Sequence, residues 1–179
     1  MNNKQVYHLA AVAAIIQAIL AFPLFFIVVF GRAALSGAGI VISFVMSMLI
    51  LYGYLRIARK TKNPHLYMIV IGIYVALVVL FLLNIAQFYL DVMRAQMLVL
   101  VIVGVMLVFF GVDLIKLAHE RGAKKVHGAL KGLGVLHVVQ GVVFFTMLLL
   151  PFDVLLAASI SVLEAIFFIK LRRVKHFLH

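Results

Sequence analysis

The fold of this chain is decided by residues 94–125, which have the sequence RAQMLVLVIVGVMLVFFGVDLIKLAHERGAKK. From Met97 to Val112 every residue is apolar or glycine, and a group of lysines and arginines begins at Lys116. An α-helix rises about 1.5 Å per residue, so about 20 apolar residues cross the hydrocarbon core of a bilayer. The stretch therefore predicts a transmembrane helix over residues 94–118, followed by a basic loop at one membrane surface.

Long apolar runs of the same kind occur along the whole chain. We predict six transmembrane helices, over residues 5–30, 37–57, 65–90, 94–118, 131–150 and 152–171. Strands are not expected, because the apolar runs lack period-two alternation and are too long for strands. Pro151 separates the last two helices, and we expect Asp153 to cap the sixth. The predicted fold class is all-α, a polytopic membrane protein that forms a single bundle over residues 1–179.

The positive charges give this bundle a direction. All 16 lysines and arginines except Arg32 and Arg94 lie in four groups, at Lys4 and within residues 56–62, 116–131 and 170–175. These groups occupy alternate connections between the predicted helices. Because lysine and arginine are retained on the cytoplasmic side during insertion, we predict three hairpins with both termini in the cytoplasm.

The composition excludes several classes of protein. Hydrophobic residues make up 67% of the chain and charged residues 12%, whereas a soluble domain has about 25% charged residues. The net charge of +11 would indicate nucleic-acid binding in a soluble protein, but here it follows from the topology. We therefore expect no nucleic-acid partner, and we expect contact with anionic lipids at the cytoplasmic face. The chain has no cysteine, which excludes thiol catalysis, disulfides and iron–sulfur clusters.

Small residues recur at helical spacing in three of the predicted segments. In lipid, such residues let helix backbones approach closely. We predict that they form helix contacts, either within the bundle or with a partner helix. The residues are Ala10, Ala14, Ala18, Gly104, Gly111, Gly128 and Gly132.

Four polar side chains fall inside the predicted membrane core, where an unpaired polar group is costly. They are Glu164, His137, Gln140 and Gln17. His137 lies six residues after Lys131, and Glu164 lies six residues before Lys170, so neighbouring antiparallel helices bring them to the same depth. We predict a pair between His137 and Glu164. It serves either to relay a proton or cation, or only as a structural bond between helices.

Ionisable residues near helix ends predict local pairs. Asp113 precedes Lys116 by three residues, and Asp91 precedes Arg94 by three residues. Opposite charges at this spacing attract each other on a helix or across a short turn. We expect an ion pair in each case.

The histidines raise the question of a haem or metal site. His8 and His137 are both near the basic end of their predicted helices, and two helical histidines at matching depth can ligate the iron of haem b. The other five histidines lie in basic segments, where we expect them to add positive charge. No set of histidines and carboxylates has the spacing of a zinc site, so we expect no metal apart from the haem hypothesis.

The C-terminal hairpin resembles a known family. Its motifs are Gly134-Val135-Leu136-His137, then Gly141, then Pro151, then Ser161-Val162-Leu163-Glu164-Ala165. From about residue 100 onward, the chain resembles the repeating hairpin of the HdeD-like membrane proteins. This resemblance implies six helices in three hairpins, a location in a bacterial or archaeal cytoplasmic (inner) membrane, and a role in stress or acid resistance. It implies no catalytic residue, and the middle hairpin lacks the proline.

A second resemblance is to the substrate-binding subunits of energy-coupling-factor vitamin transporters. Those proteins also have six helices and an alanine stripe on the first helix, as Ala10, Ala14 and Ala18 form here. They bind vitamins with substantial outer loops, which this chain lacks.

Three functional hypotheses follow. The sequence favours a non-enzymatic membrane protein that acts through helix contacts, as a homo-oligomer or as a subunit of a membrane complex. The second is a small transporter or channel subunit for a proton, an ion or a vitamin, with Glu164, His137 and Gln140 as its polar core. The third is a haem b electron carrier that uses His8 and His137. We expect no enzymatic activity, because no Ser/His/Asp set and no pair of carboxylates falls in one place.

The predicted topology can be tested with reporter tags. Tags inserted after Arg32 and after Lys60 should appear on opposite sides of the membrane, with the Lys60 tag in the cytoplasm. Protease protection in intact and permeabilised cells measures the side. Tags on the same side would contradict the assignment of helices.

Overall fold

The chain folds into six helices. The computed structural model describes residues 2–30, 36–87, 91–120, 123–146 and 150–174, and no strand occurs over these ranges. Five of the helices, α1 to α5, are long and apolar enough to cross a membrane. The prediction of an all-α polytopic membrane protein is thereby confirmed. The helices are α1 (Asn3–Phe30), α2 (Ser36–Lys60), α3 (Pro64–Ala86), α4 (Met93–Ala118), α5 (His127–Thr146) and α6 (Leu150–Arg173).

The six helices form a closed ring. Each helix packs against its neighbours in the sequence, and α6 packs against α1. The most extensive contacts are those of α4 with α5 and of α1 with α6. Helices α2, α4 and α6 have basic residues in their last turns, and this end of the ring is called the basic end below. The C-terminal ends of α1, α3 and α5 lie at the opposite end.

The turn between α2 and α3 shows how the sequence reverses the chain at the basic end. Lys62 has a φ of 52°, a left-handed conformation that redirects the backbone after α2. The side-chain oxygen of Asn63 accepts a hydrogen bond from the backbone N–H of Leu66 at 3.0 Å and so caps α3. Pro64 occupies the first helical position, where its missing N–H leaves no helix bond unmade.

Helices α4 and α5 touch backbone to backbone at two pairs of glycines. A Cβ added at Gly104 would lie 2.7 Å from the carbonyl oxygen of Gly141, and one added at Gly134 would lie 2.6 Å from that of Gly111. The spacing of seven residues on both helices brings the two pairs into register on antiparallel helices. The predicted contact residues Gly104 and Gly111 therefore lie in this seam, and Gly134 and Gly141 are their partners.

The other small residues differ in their surroundings. Ala10 and Ala14 are fully buried inside the bundle, and Ala18 is half-buried. Gly132 lies within ordinary contact distance of Leu163. For Gly128 the prediction of a contact within the bundle is wrong, because no described atom lies within 4 Å of a Cβ placed there. Gly128 is exposed in the first turn of α5, and its contact with a partner helix stays a prediction.

The densest part of the interior lies in the half of the ring next to the basic end. Among the described residues, all of the largest fully buried side chains belong to this half. They include Tyr54 and Phe110, whose rings meet edge to face with centroids 4.9 Å apart, and Phe167 and Phe168 of α6. Such edge contacts are a favoured arrangement of aromatic rings. These four side chains, called the aromatic core below, close the interior toward the basic end.

Gly104→Ala should destabilise the bundle, because the added methyl group overlaps the backbone of α5. Overpacking of this kind costs about 1–3 kcal/mol. Gly128→Ala is the matched control, since it adds the same methyl group where the structure has open space. The gain in helix propensity is larger at Gly104, inside a helix, than at Gly128 in a first turn, so a lower stability of the Gly104 variant reports the contact in spite of this gain. Thermal unfolding in one detergent measures this difference, and equal melting temperatures would contradict the glycine seam.

Candidate functional site: a polar cavity inside the ring

A cavity of about 280 Å³ lies inside the ring, on the side of the aromatic core that faces away from the basic end. All six helices contribute side chains to its wall. The four predicted polar core residues line this one cavity, together with four that were not predicted for it. The polar lining residues are Gln17, Ser43, Ser47, His137, Gln140, Asp153, Ser161 and Glu164.

Helix α6 presents one continuous face to the cavity. Asp153, Ala157, Ser161 and Glu164 all line it, and their spacing of four, four and three residues keeps them on one side of a helix. Asp153 and Glu164 are separated by eleven residues, which is about three turns or 16 Å along the axis. Two carboxyl groups therefore stand on the same face, with Glu164 nearest the aromatic core.

The structure brings His137 and Glu164 together, as predicted. Their side chains are 7% exposed each, and His137 Nε2 lies 3.7 Å from Glu164 Oε1. This separation suits an ion pair but is too long for a direct hydrogen bond. No described residue forms a hydrogen bond with either ring nitrogen of His137. A water molecule or a bound solute between the two groups would satisfy both.

Asp153 is paired with Gln140 instead of capping α6. Its carboxylate oxygen accepts a hydrogen bond from Gln140 Nε2 at 2.9 Å. The expectation of a helix cap needs correction, because the carboxyl group points into the ring, where another polar side chain is within reach. The eleven-residue spacing of Asp153 from Glu164 could have predicted that Asp153 lines the cavity, because it places both residues on one face of a helix.

The polar atoms on the α1 and α2 side are only partly satisfied. Gln17 Nε2 donates a hydrogen bond to Ser47 Oγ at 3.2 Å. Within the described part of the chain, the other amide atom of Gln17, Oε1, is buried without a hydrogen-bond partner. Buried polar atoms of folded proteins are nearly always bonded, to protein or to ordered water. The cavity therefore offers unused acceptors and donors to whatever fills it.

The charges around the cavity favour a cation. Its ionisable lining residues are Asp153, Glu164 and His137, and no lysine or arginine lines it among the residues that the structure describes. With both carboxyl groups ionised, the site has two negative charges against at most one positive charge on His137. Such a site attracts a cation or a proton.

The wall formed by α3 and α4 is apolar. The side chains that face the cavity from these helices are Ile73, Leu77, Val103 and Leu107. The polar groups come from α1, α2, α5 and α6. The polar groups thus come from four of the helices, where they alternate with apolar side chains such as Ile50, Phe144 and Ile160, and the other two helices form a wholly apolar wall.

The two predicted haem ligands occupy different environments. His137 lines the cavity, whereas His8 is exposed at the basic end, with its Nδ1 atom 3.3 Å from Nη1 of Arg172. His8 is not part of the cavity wall, so the structure does not bring the two histidines together at this site. Over the described ranges, no group of three or more histidines and carboxylates could hold a metal ion.

Two acidic residues outside the cavity have other partners than predicted. The Asp113 side chain is 5% exposed, and its Oδ2 atom lies 2.6 Å from His65 Nδ1 of α3, not against Lys116. The pairing differs because Asp113 lies on the face of α4 that packs inward, whereas Lys116 is exposed. Asp91 accepts a hydrogen bond from the backbone N–H of Met93 at 3.3 Å instead of pairing with Arg94.

Gln140→Leu should lower the stability of the folded bundle, because it removes the donor on which the Asp153 carboxylate depends. A partly buried acceptor left without a partner costs about 1–3 kcal/mol. The double variant Gln140→Leu, Asp153→Leu removes both polar groups and should recover most of this loss. Thermal unfolding measures all three proteins. A double variant no more stable than the single one would contradict the pairing.

The comparisons with family models, with curated protein sequences and with solved structures each find no match for this chain. The resemblance of the C-terminal hairpin to the HdeD-like proteins therefore stays a prediction from sequence.

Proposed function

We propose that this protein is a small transporter or channel subunit that holds a proton or a cation in the cavity inside its helical ring. One observation carries the proposal. Asp153 and Glu164 stand on one face of α6 and line a single cavity, whose described wall has no lysine or arginine. Ionisable groups inside a membrane are costly, and where they occur they commonly mark the path of an ion or a proton.

The state of the pairing partners supports transport over a purely structural role. A structural bond between helices saturates the groups that form it. Among the residues that the structure describes, neither ring nitrogen of His137 has a hydrogen-bond partner, and its Nε2 atom lies 3.7 Å from Glu164 Oε1. A site that exchanges its occupant needs such unsatisfied groups, because they are the ones that bind the solute or its water.

The separation of the two carboxyl groups suggests two binding positions for the cation. Asp153 lies toward the end of the ring opposite the basic end, and Glu164 lies about 16 Å further, next to the aromatic core. The aromatic core then separates Glu164 from the basic surface. A complete transport cycle would require the helices to separate at this core, as the two sides of a transporter do around a fixed site.

Action through helix contacts, as a homo-oligomer or as a subunit of a membrane complex, remains a second proposal. Gly104 and Gly111 are used within the chain, against α5, and Ala10 and Ala14 are buried within the bundle. Among the predicted contact residues that the structure describes, Gly128 is exposed without a neighbour and is left for a partner helix. Membership of the HdeD-like proteins, with a bacterial or archaeal cytoplasmic membrane as location, remains a proposal that rests on the C-terminal motifs.

Cation uptake into proteoliposomes tests the proposal. The purified protein is reconstituted, and uptake of protons, Na⁺, K⁺ and methylammonium is measured with a membrane potential, negative inside. Glu164→Gln keeps the shape of the side chain but removes its charge, so we expect at least a tenfold loss of uptake of the transported cation. Glu120→Gln is the matched control, because Glu120 is exposed beyond the end of α4 and should leave uptake unchanged.

Two results would overturn this function. One is uptake of every cation at the level of protein-free liposomes. The other is uptake that Glu164→Gln and Asp153→Asn both leave at the level of the unmodified protein.

A further inference from the structure

A groove of about 180 Å³ runs between α2 and α3, beside the cavity. It shares Ser43, Ser47 and Leu77 with the cavity wall, so these side chains stand between the two spaces. Its remaining lining residues are Phe44, Leu80, Phe81 and Asn84. The neighbouring positions Val45 on α2 and Leu82 on α3 are exposed on the outer surface of the ring. The groove therefore lies between the cavity wall and the surface that faces lipid.

A pair of aromatic rings spans this groove. Phe44 of α2 and Phe81 of α3 stack with centroids 4.2 Å apart and planes within 14° of each other. In water such a stack would be held by the hydrophobic effect, but lipid tails solvate an aromatic ring about as well as a protein does. Separating the two rings is therefore less costly here than in a soluble protein. Separation of this ring pair is the step that entry of a solute from the bilayer would require.

The two walls of the cavity indicate the chemistry of this solute. Asp153 and Glu164 attract a positive charge, while Ile73, Val103 and Leu107 offer an apolar surface opposite them. An inorganic cation is bound by oxygen atoms on all sides and gains nothing from an apolar wall. A volume of about 280 Å³ corresponds to roughly nine water molecules, which suits a small organic molecule. A molecule with a charged head and an apolar body matches both walls.

We propose that the solute is a small amphiphilic amine that reaches the cavity sideways from the bilayer, through the groove between α2 and α3. Its ammonium group is held by Glu164, and its apolar body lies against α3 and α4. His137, which is 6% exposed and has no hydrogen-bond partner among the described residues, accepts a hydrogen bond from the ammonium group. This assignment rests on the proposed function and adds to it the class of solute and the path that the solute takes.

Binding to the protein in lipid nanodiscs tests the class of solute. The probe is radiolabelled phenethylamine, with methylammonium and 2-phenylethanol as competitors that lack the apolar body and the charge, respectively. We expect phenethylamine to bind at least tenfold more tightly than either competitor. Glu164→Gln should weaken this binding at least tenfold, and Glu120→Gln should leave it unchanged.

The path is tested with a plug in the groove. Because the chain has no cysteine, Asn84→Cys places a single thiol in the groove but outside the cavity wall. Alkylation of this thiol with N-ethylmaleimide should slow the association of phenethylamine at least tenfold and change its equilibrium affinity less than threefold. Val105→Cys, alkylated in the same way on the exposed face of α4, is the control and should have no effect on either.

The outcomes separate this proposal from the function on which it rests. If neither phenethylamine nor methylammonium binds above protein-free nanodiscs, the amphiphilic amine is wrong, and the uptake of protons, Na⁺ and K⁺ then decides separately whether the transport function stands. If methylammonium binds as tightly as phenethylamine and Glu164→Gln weakens both, the transport function stands and the amphiphilic amine is wrong. If the plug leaves the association rate unchanged, the lateral path is wrong.

Discussion

Lipid offers a protein no hydrogen-bond partners, and this constraint governs each level of the structure. The backbone satisfies itself in helices, since no other open element can cross the hydrocarbon core. The side chains that cannot be satisfied in lipid turn inward, which is why Asp153 meets Gln140 and Glu164 meets His137 inside the ring. The helices then pack by close approach of small residues, as at Gly104 and its partner on α5.

The ring divides the interior into two parts with different roles. Near the basic end, large side chains such as Tyr54 and Phe168 are fully buried, and their packing stabilises the bundle. Beyond them the interior is lined by shorter polar groups, and a cavity remains. Dense packing around a partly filled polar site is the usual arrangement of a binding site on a rigid scaffold. The stable half and the candidate site are therefore contiguous, with Glu164 at their boundary.

The sequence predicted correctly those features that depend on the length of one apolar run or on one spacing between residues. The lengths of the apolar runs predicted the helices, and equal distances from Lys131 and Lys170 placed His137 and Glu164 at one depth. It failed where the outcome depends on which face of a helix turns inward. Asp153 follows Pro151 and so suggested a cap, although its carboxyl group lies in the cavity. The groove between α2 and α3 depends on the packing of two whole helices, which no local pattern encodes.

The closure of the ring between α1 and α6 has a consequence for biosynthesis. Of the six helices, α1 is translated before the other five and α6 after them, and a hydrogen-bond contact between His8 and Arg172 joins residues 164 positions apart. Both carboxyl groups that line the cavity belong to α6. When α6 is released into the bilayer, α5 already presents Gln140 and His137, and α1 already presents Gln17. The segment that is most expensive to expose to lipid is thus translated only after its polar partners have been made.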